Sequence, residues 1–147
     1  MPGVFRALGR ALVGACGQAP GFVLPSADVK DPAHMLEGTP ATEVLPELLG
    51  PGDLESRRHH GFSPFTGTSL DMTLRSLGVS AVVALGVSLD LGIPGPALEA
   101  VNLGYRVSVV TDAVAGVREE YAQAVLRYTI GLLATRTATA ELIKAWT

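Results

Sequence analysis

The sequence predicts an α/β fold in which helices cover both faces of a parallel β-sheet. Residues 80–86 (SAVVALG) and 105–111 (YRVSVVT) are continuous apolar runs of strand length, which are typical of strands buried on both faces. Segments with apolar residues at helical spacing lie before, between and after these runs. Because such sheets bind ligands beyond the carboxyl ends of their strands, we expect any site near residues 86–90 and 111–116.

Helical spacing predicts four helices in the second half of the chain. Leu70, Leu74 and Leu77 carry the first of them, and Gly78 ends it. The apolar residues of the longest helix include Tyr121, Val125, Ile130, Leu132 and Leu133. The four predicted helices span residues 69–76, 92–103, 118–133 and 140–146.

The first half of the chain is less regular. Phe5, Leu8 and Leu12 recur at helical spacing and predict a helix over residues 5–16. Residues 25–46 contain several prolines and much polar content, which indicates an irregular connection. Shorter elements are predicted as a strand at 21–24, a helical turn near 44–49 and a polar edge strand at 53–58.

Composition restricts the classes of function. The 147 residues indicate one domain, and a hydrophobic content of 48% with 17% charged residues excludes a disordered chain. The net charge of −3 argues against nucleic acid as a partner. The longest apolar run is far short of the ~20 residues that a membrane span needs, so we expect no membrane contact and, by default, a cytoplasmic location. A single cysteine excludes a disulfide framework and a Cys-rich zinc site.

The end of the first apolar strand carries the most suggestive motif. No glycine-rich nucleotide-binding fingerprint follows a strand. Residues 86–90 (GVSLD) begin like a nucleophile elbow but lack its closing glycine. Ser88 is therefore interpreted as a turn or capping residue, and Asp90 as the N-cap of the next helix.

The histidine pair after the predicted edge strand allows two interpretations. His59 and His60 are adjacent, so on a strand they point to opposite faces and do not share one metal ion. We interpret them as a solvated edge, although one of them, with Arg57 and Arg58, could hold an anionic ligand. Cys16 is interpreted as a buried, unreactive thiol in the first helix.

The aromatic residues and one further carboxylate also leave alternatives open. Phe62, Phe65 and Trp146 are expected in the core, but Phe62 and Phe65 lie in a loop with proline and glycine, so at least one could line a pocket. Asp112 follows the second apolar strand. It either acts at a site or forms a turn or cap before Val114.

An ordered succession of motifs resembles the isochorismatase-like, or cysteine hydrolase, family. It comprises residues 61–71 (GFSPFTGTSLD), Leu74 and Arg75, residues 82–88, Gly104 with Tyr105, and Asp112 with Ala113. The resemblance covers residues 35–147 and leaves 1–34 as a divergent or truncated start. It implies a three-layer α/β/α sandwich with a parallel sheet.

The resemblance also implies a triad of Asp, Lys and Cys, which this sequence does not keep. Aligned on the GVS segment, the nucleophilic cysteine corresponds to Gly92, which has no side chain to attack a carbonyl. The lysine position falls at Arg58 or His59, and an arginine does not titrate near neutral pH. The aspartate ends the family's first strand, and nothing in residues 1–30 matches that pattern. We therefore expect the first strand to be missing and its neighbours to lack ladder partners.

The implied function is a hydrolase relative with little or no activity, hence a pseudoenzyme. Its pocket would bind a small carbonyl or carboxylate compound, and a cis peptide bond is implied at Val87–Ser88. No cofactor is implied, and the family favours a homo-oligomer, with Trp146 contributing to the contact. The alternatives are a non-catalytic interaction protein, or a hydrolase in which His59 or His60 and Asp112 activate water. The predicted pocket residues are Phe62, Phe65, Val87, Ser88, Gly92 and Ile93, with Arg58 in the wall.

Overall fold

A computed structural model describes residues 3–7, 10–16, 40, 42–44, 46–58 and 62–146. Within them, six strands form one mixed sheet in the order β3-β2-β1-β4-β5-β6. The strands are β1 (Gly3–Ala7), β2 (Arg10–Cys16), β3 (Leu54–Arg58), β4 (Ala81–Val87), β5 (Arg106–Ala115) and β6 (Thr135–Thr137). The strand predicted at residues 21–24 lies outside the described residues.

Helices connect the strands of the second half. They are α1 (Leu70–Ser76), α2 (Pro94–Asn102), α3 (Glu119–Ala124), α4 (Gly131–Leu133) and α5 (Thr139–Trp146). A π-helical stretch, Val125–Ile130, joins α3 to α4, so residues 119–133 form one continuous helical segment. All four predicted helices are therefore confirmed, with the π-helical insertion as a local addition.

Strand direction separates β1 from the rest of the sheet. β2 is parallel to β3, and β4, β5 and β6 are parallel to one another. β1 is antiparallel to both β2 and β4, so the other five strands share one direction. Their carboxyl ends consequently meet at one edge, which includes Cys16, Arg58 and Val87.

The start of the chain departs from two expectations. The helix predicted over residues 5–16 is wrong, because β1 and β2 occupy this segment. The expectation that strands would lack ladder partners is also wrong, because β1 pairs with β2 on one side and with β4 on the other. Ladder hydrogen bonds to two neighbouring strands outweigh a local helical spacing.

The core lies between the sheet and the helices on one of its faces. Val82 and Ala84 of β4 point to the same face of the sheet, because alternate residues of a strand do so. They join Val107 and Val109 of β5 in the main apolar cluster. The helices add Leu70, Leu74, Ala97, Ala100, Ala122, Val125, Leu126 and Ile130. On the other face of the sheet Val83 and Val110 are also buried. The result is the predicted three-layer α/β/α sandwich, with β3 at one edge as expected and β6 as a strand that the sequence did not indicate.

Candidate functional site

The turn between β4 and α2 is packed against itself at Gly92. The peptide bond Val87–Ser88 is cis, as predicted, and the Ser88 carbonyl accepts a hydrogen bond of 2.9 Å from the Ile93 amide. An ideal Cβ placed on Gly92 would lie 2.8 Å from the Ser88 nitrogen and 3.2 Å from the carbonyl oxygens of Val87 and Ser88. The backbone therefore occupies the space that a side chain at residue 92 would need.

The first turn of α2 uses its own backbone donors. Pro94 is the first helical residue, and like Pro96 it has no amide hydrogen. The amides of Gly95 and Ala97 donate to the carbonyls of Leu91 and Ile93, at 3.0 Å each. Among residues 93–97 each amide is thus missing or used within the turn, so a ligand oxygen would need donors from other residues.

Asp90 joins the two loops at this edge of the sheet. Its Oδ2 accepts a hydrogen bond of 3.0 Å from the Val117 amide, while the N-cap of α2 is Ile93. The prediction that Asp90 caps α2 is therefore wrong. A Cβ on Gly116 would lie 2.9 Å from the Ala122 Cβ and 3.4 Å from Asp90 Oδ2, so the loop approaches the turn closely because residue 116 is glycine.

The arginines at the end of β3 have different surroundings. Arg57 forms ion pairs with Glu55 at 2.8 Å and with Glu43 at 3.2 Å. The hydrogen bond to Glu43 is the main reason that the pKa of Arg57 is raised. Arg58 is half-buried and donates from Nη1 to the Phe62 carbonyl. Of the two, Arg58 is the one at the carboxyl end of its strand.

Of the aromatic and apolar residues predicted to line a pocket, Phe62 is exposed, whereas Phe65 and Ile93 are buried. Phe62 is 37% exposed, and a Cβ on Gly95 would lie 3.9 Å from the Phe62 Cβ, so Phe62 lies beside the first turn of α2. Phe65 is buried and stacks on Tyr105 with 6.0 Å between ring centroids. Its interpretation as a core residue is confirmed. Ile93 is 1% exposed and belongs to the core cluster.

Asp112 caps a helix. Its Oδ1 accepts hydrogen bonds from the Thr139 amide at 2.8 Å and the Thr139 hydroxyl at 2.9 Å. These bonds, the amide first, lower the pKa of the Asp112 carboxyl. The predicted turn or cap before Val114 is wrong, because β5 continues to Ala115 and Asp112 lies within it; Asp112 instead caps α5. His59 and His60, the other half of the proposed water-activating pair, lie outside the described residues.

The other residues predicted for the site lie at the ends of strands and helices or in the turn after β4. Val87 is the last residue of β4, and Val87, Ser88 and Gly92 are all half-buried. Cys16 ends β2 and faces Arg58 in the β2–β3 register, so the prediction that it lies in a helix is wrong. Trp146 ends α5 and is 41% exposed. No cluster of three potential metal-ligating side chains occurs among the described residues.

The family of the chain is decided by a comparison with protein-family models. The isochorismatase domain model matches residues 12–141. This chain belongs to the isochorismatase family. The match begins well before residue 35, where the motif resemblance starts, and it includes most of β2.

Individual relatives agree with the family assignment. The isochorismatase family protein YwoC from Bacillus subtilis is 30% identical over 103 residues, which is 69% of this chain and 54% of that protein. Nicotinamidase 3 from Arabidopsis thaliana is 35% identical over 94 residues, 63% of this chain and 48% of that protein. The chain thus spans about half the length of these curated relatives.

Solved structures share the fold. An isochorismatase-like hydrolase from Alkaliphilus metalliredigens superimposes with a TM-score of 0.77 and 23% identity, covering 91% of this chain and 70% of that one. The pyrazinamidase/nicotinamidase from Streptococcus mutans gives a TM-score of 0.69 and 29% identity, covering 84% of this chain and 73% of that one.

Among the described residues, no helix is long and apolar enough to cross a membrane.

Two contacts at this edge were not predicted from the sequence. The Asp90–Val117 hydrogen bond joins residues 27 positions apart, and the close approach of Gly116 to Asp90 joins residues 26 positions apart. A hydrophobicity pattern carries no information about such a pair. The glycine directly after β5 was the one available signal, since a glycine there permits a close backbone approach.

Proposed function

We propose that this chain is a hydrolase-family protein that binds a small carbonyl or carboxylate compound without thiol-dependent turnover. The proposal rests chiefly on Gly92, which stands where the resemblance puts the nucleophilic cysteine. Covalent catalysis of acyl transfer needs a nucleophilic side chain next to the carbonyl carbon, and glycine provides none. Because the Ser88 backbone fills the adjacent space, a neighbouring side chain does not replace the missing group from that side.

Binding would use the groups that remain at the carboxyl edge of the sheet. Arg58 supplies a half-buried positive charge at the end of β3, and a guanidinium pairs well with a carboxylate. Phe62 supplies an aromatic surface beside the first turn of α2. Since the α2 amides are used within the turn, we expect Arg58 to provide more of the recognition than the helix dipole.

The experiment compares turnover with binding. Relatives of this chain are named nicotinamidase and N-carbamoylsarcosine amidase, so nicotinamide, nicotinate and N-carbamoylsarcosine are suitable probes. We expect ammonia release from the amides to stay at the buffer rate, while at least one probe raises the melting temperature. The Streptococcus mutans enzyme serves as the active comparison.

Three variants identify the groups responsible. Arg58→Ala and Phe62→Ala are expected to remove the ligand-dependent melting shift, whereas Met72→Ala, an exposed residue of α1, keeps it. Ammonia release that is lost in Cys16→Ser would overturn the proposal, because the thiol would then act. Absence of a melting shift with all three probes contradicts the binding half of the proposal.

A further inference from the structure

β5 pairs with β4 in two pieces that are separated by an irregular stretch. Ala84 of β4 lies opposite Val109 of β5. The next pair is Gly86 of β4 with Val114 of β5. Between these pairs β4 advances by two residues and β5 by five, so β5 accommodates three additional residues. We call residues 110–113 the β5 bulge, because extra residues of this kind bend a strand and redirect its side chains.

The β5 bulge is hydrogen-bonded to the junction between β6 and α5. The Thr111 hydroxyl donates to the Thr137 carbonyl at 3.3 Å. Asp112 Oδ1 accepts from the Thr139 amide at 2.8 Å and from the Thr139 hydroxyl at 2.9 Å. Thr137 ends β6 and Thr139 begins α5. Two consecutive side chains of the bulge are therefore held by the start of α5.

The part of β5 that follows the bulge supports the turn after β4. The Ala115 carbonyl accepts a hydrogen bond of 2.9 Å from the Leu89 amide. Just beyond the strand, the Val117 amide donates to Asp90 at 3.0 Å. The position of residues 88–92 thus depends on where the bulge places the end of β5.

α5 is the most weakly packed of the longer helices. None of the residues that the structure describes in α5 is buried, and its apolar residues Ile143 and Trp146 are exposed. The helical segment 119–133, by contrast, buries Val125 and Ile130 against the sheet. A helix that buries little apolar surface can leave the fold at a much lower cost than global unfolding. The hydrogen bonds at its first residue are consequently a large part of what holds α5.

We propose that Asp112 is a positioning residue that couples the docking of α5 to the position of residues 88–92. While α5 is docked, its bonds to Asp112 fix the β5 bulge, and the bulge determines where Ala115 and Val117 meet the turn. Release of α5 removes those bonds and leaves the end of β5 free to shift. The edge where parallel sheets bind ligands then responds to a helix outside it. This coupling holds whether or not the proposed ligand-binding function is correct.

Backbone hydrogen exchange, measured by mass spectrometry on the full chain, tests the coupling. Asp112→Ala removes the acceptor of both bonds to α5, and we expect about tenfold faster exchange in residues 139–146. We expect a similar increase in residues 88–92, where the Leu89 amide is the reporter. α1 is the internal reference and should keep its exchange rate.

Two further variants separate positioning from general destabilisation. Asp112→Asn keeps an acceptor oxygen without the charge, so it should accelerate exchange less than Asp112→Ala in both segments. Tyr105→Phe removes a hydrogen bond at the other end of β5 and should accelerate neither segment selectively. An increase confined to α5, an increase in neither segment, or an equal increase in α1 overturns the proposal.

The bond itself is tested from the side of the helix. Thr139→Val removes only the hydroxyl donor, so it should accelerate exchange in both segments by less than Asp112→Ala does. The double variant should exchange no faster than Asp112→Ala alone, because both substitutions remove the same interaction. Accelerations that multiply in the double variant would show that the bond between these two residues does not carry the coupling.

Discussion

The two ends of the parallel strands differ in what holds them together. At the amino end of β5, the Tyr105 hydroxyl donates to Asp71 at 2.7 Å, and Arg75 donates to Asp71 at 3.0 Å and to the Leu103 carbonyl at 2.8 Å. At the carboxyl end, Gly92 packs against the backbone of Val87 and Ser88, and Gly116 packs against side-chain atoms of Leu89, Asp90 and Ala122. The carboxyl end, where parallel sheets bind ligands, thus depends on two glycines whose surroundings leave no room for a side chain.

This difference between the two ends predicts how amino-acid substitutions at each end affect stability. Side-chain hydrogen bonds at the amino end can be removed one at a time by substitution, and each contributes a modest amount to the free energy of unfolding. At Gly92 the neighbouring atoms belong to the backbone and cannot move aside, so adding a methyl group forces the chain itself to shift. We therefore expect substitutions of the glycines at the carboxyl end to reduce stability more than removal of single hydrogen bonds at the amino end.

Gly92→Ala should give the largest loss of stability. The new Cβ would meet the Ser88 nitrogen at 2.8 Å, and relief of such overpacking costs about 1–3 kcal/mol. Gly95→Ala is the matched control, because its Cβ meets only the Phe62 Cβ at 3.9 Å. Urea unfolding of both variants measures the difference, and equal midpoints would contradict the tight turn.

Gly92→Cys tests whether restoring the thiol restores hydrolysis. The cysteine Cβ meets the same backbone atoms as that of alanine, so we expect a destabilised protein without appreciable ammonia release from nicotinamide. Rapid amide hydrolysis by this variant would show that the turn opens readily and that Gly92 alone separates this chain from active relatives.

Gly116→Ala should have the next largest effect on stability. Its Cβ would lie 2.9 Å from the Ala122 Cβ, which would push α3 away from the Asp90 turn at a cost of about 1–2 kcal/mol. Gly131→Ala is the control, since its nearest neighbour is a carbonyl oxygen at 3.8 Å and alanine favours a helix by up to ~1 kcal/mol. The two melting temperatures should move in opposite directions.

Tyr105→Phe should weaken the amino end modestly. The variant loses the hydrogen bond to Asp71 but keeps the stacked ring, so about 1 kcal/mol of stability should be lost. In the unaltered protein, burial and the bond to Asp71 raise the pKa of Tyr105 to about 12. Tyr128→Phe, whose hydroxyl belongs to an exposed side chain, is the matched control. A spectroscopic titration should find a tyrosine pKa of about 12 that is absent from Tyr105→Phe.

Asp112→Asn should have the smallest effect and the clearest pH dependence. The pKa of the native carboxyl is lowered by Thr139, so its contribution to stability is present above the ordinary pKa of about 3.9. That contribution is lost as the pH falls through the lower, folded value. The melting temperatures of the two proteins should therefore differ at pH 7 and converge in acid. A constant difference down to pH 2 would contradict the assigned role.

Much of the carboxyl edge could be predicted because it follows from chain order. The apolar runs at β4 and β5 and the glycines that end α1 and α2 define alternating strands and helices, and parallel strands collect their carboxyl ends at one edge. The position of Gly92 in the turn after β4 follows from that order. The pairing of Asp90 with Val117 does not, because it depends on the distance between two loops.

Helical periodicity predicted the segment 119–133 but not its two faces. Tyr121 and Leu132 were grouped with Val125 and Ile130 as apolar residues, yet the first pair is exposed and the second buried. The π-helical stretch Val125–Ile130 changes the angle between successive residues, so a 3.6-residue period does not separate the exposed apolar residues from the buried ones.

The sequence by itself determined the α/β class, the order of the elements α1, β4, α2 and β5 and the glycine at residue 92, because each is a property of local composition and spacing. Only the tertiary structure decided that β1 and β2 are strands, that Asp112 caps α5 and that the Gly92 turn has no room for a side chain. Those outcomes depend on ladder bonds, capping bonds and backbone contacts between residues distant in the chain, and local preference is weaker than such contacts once the sheet has formed.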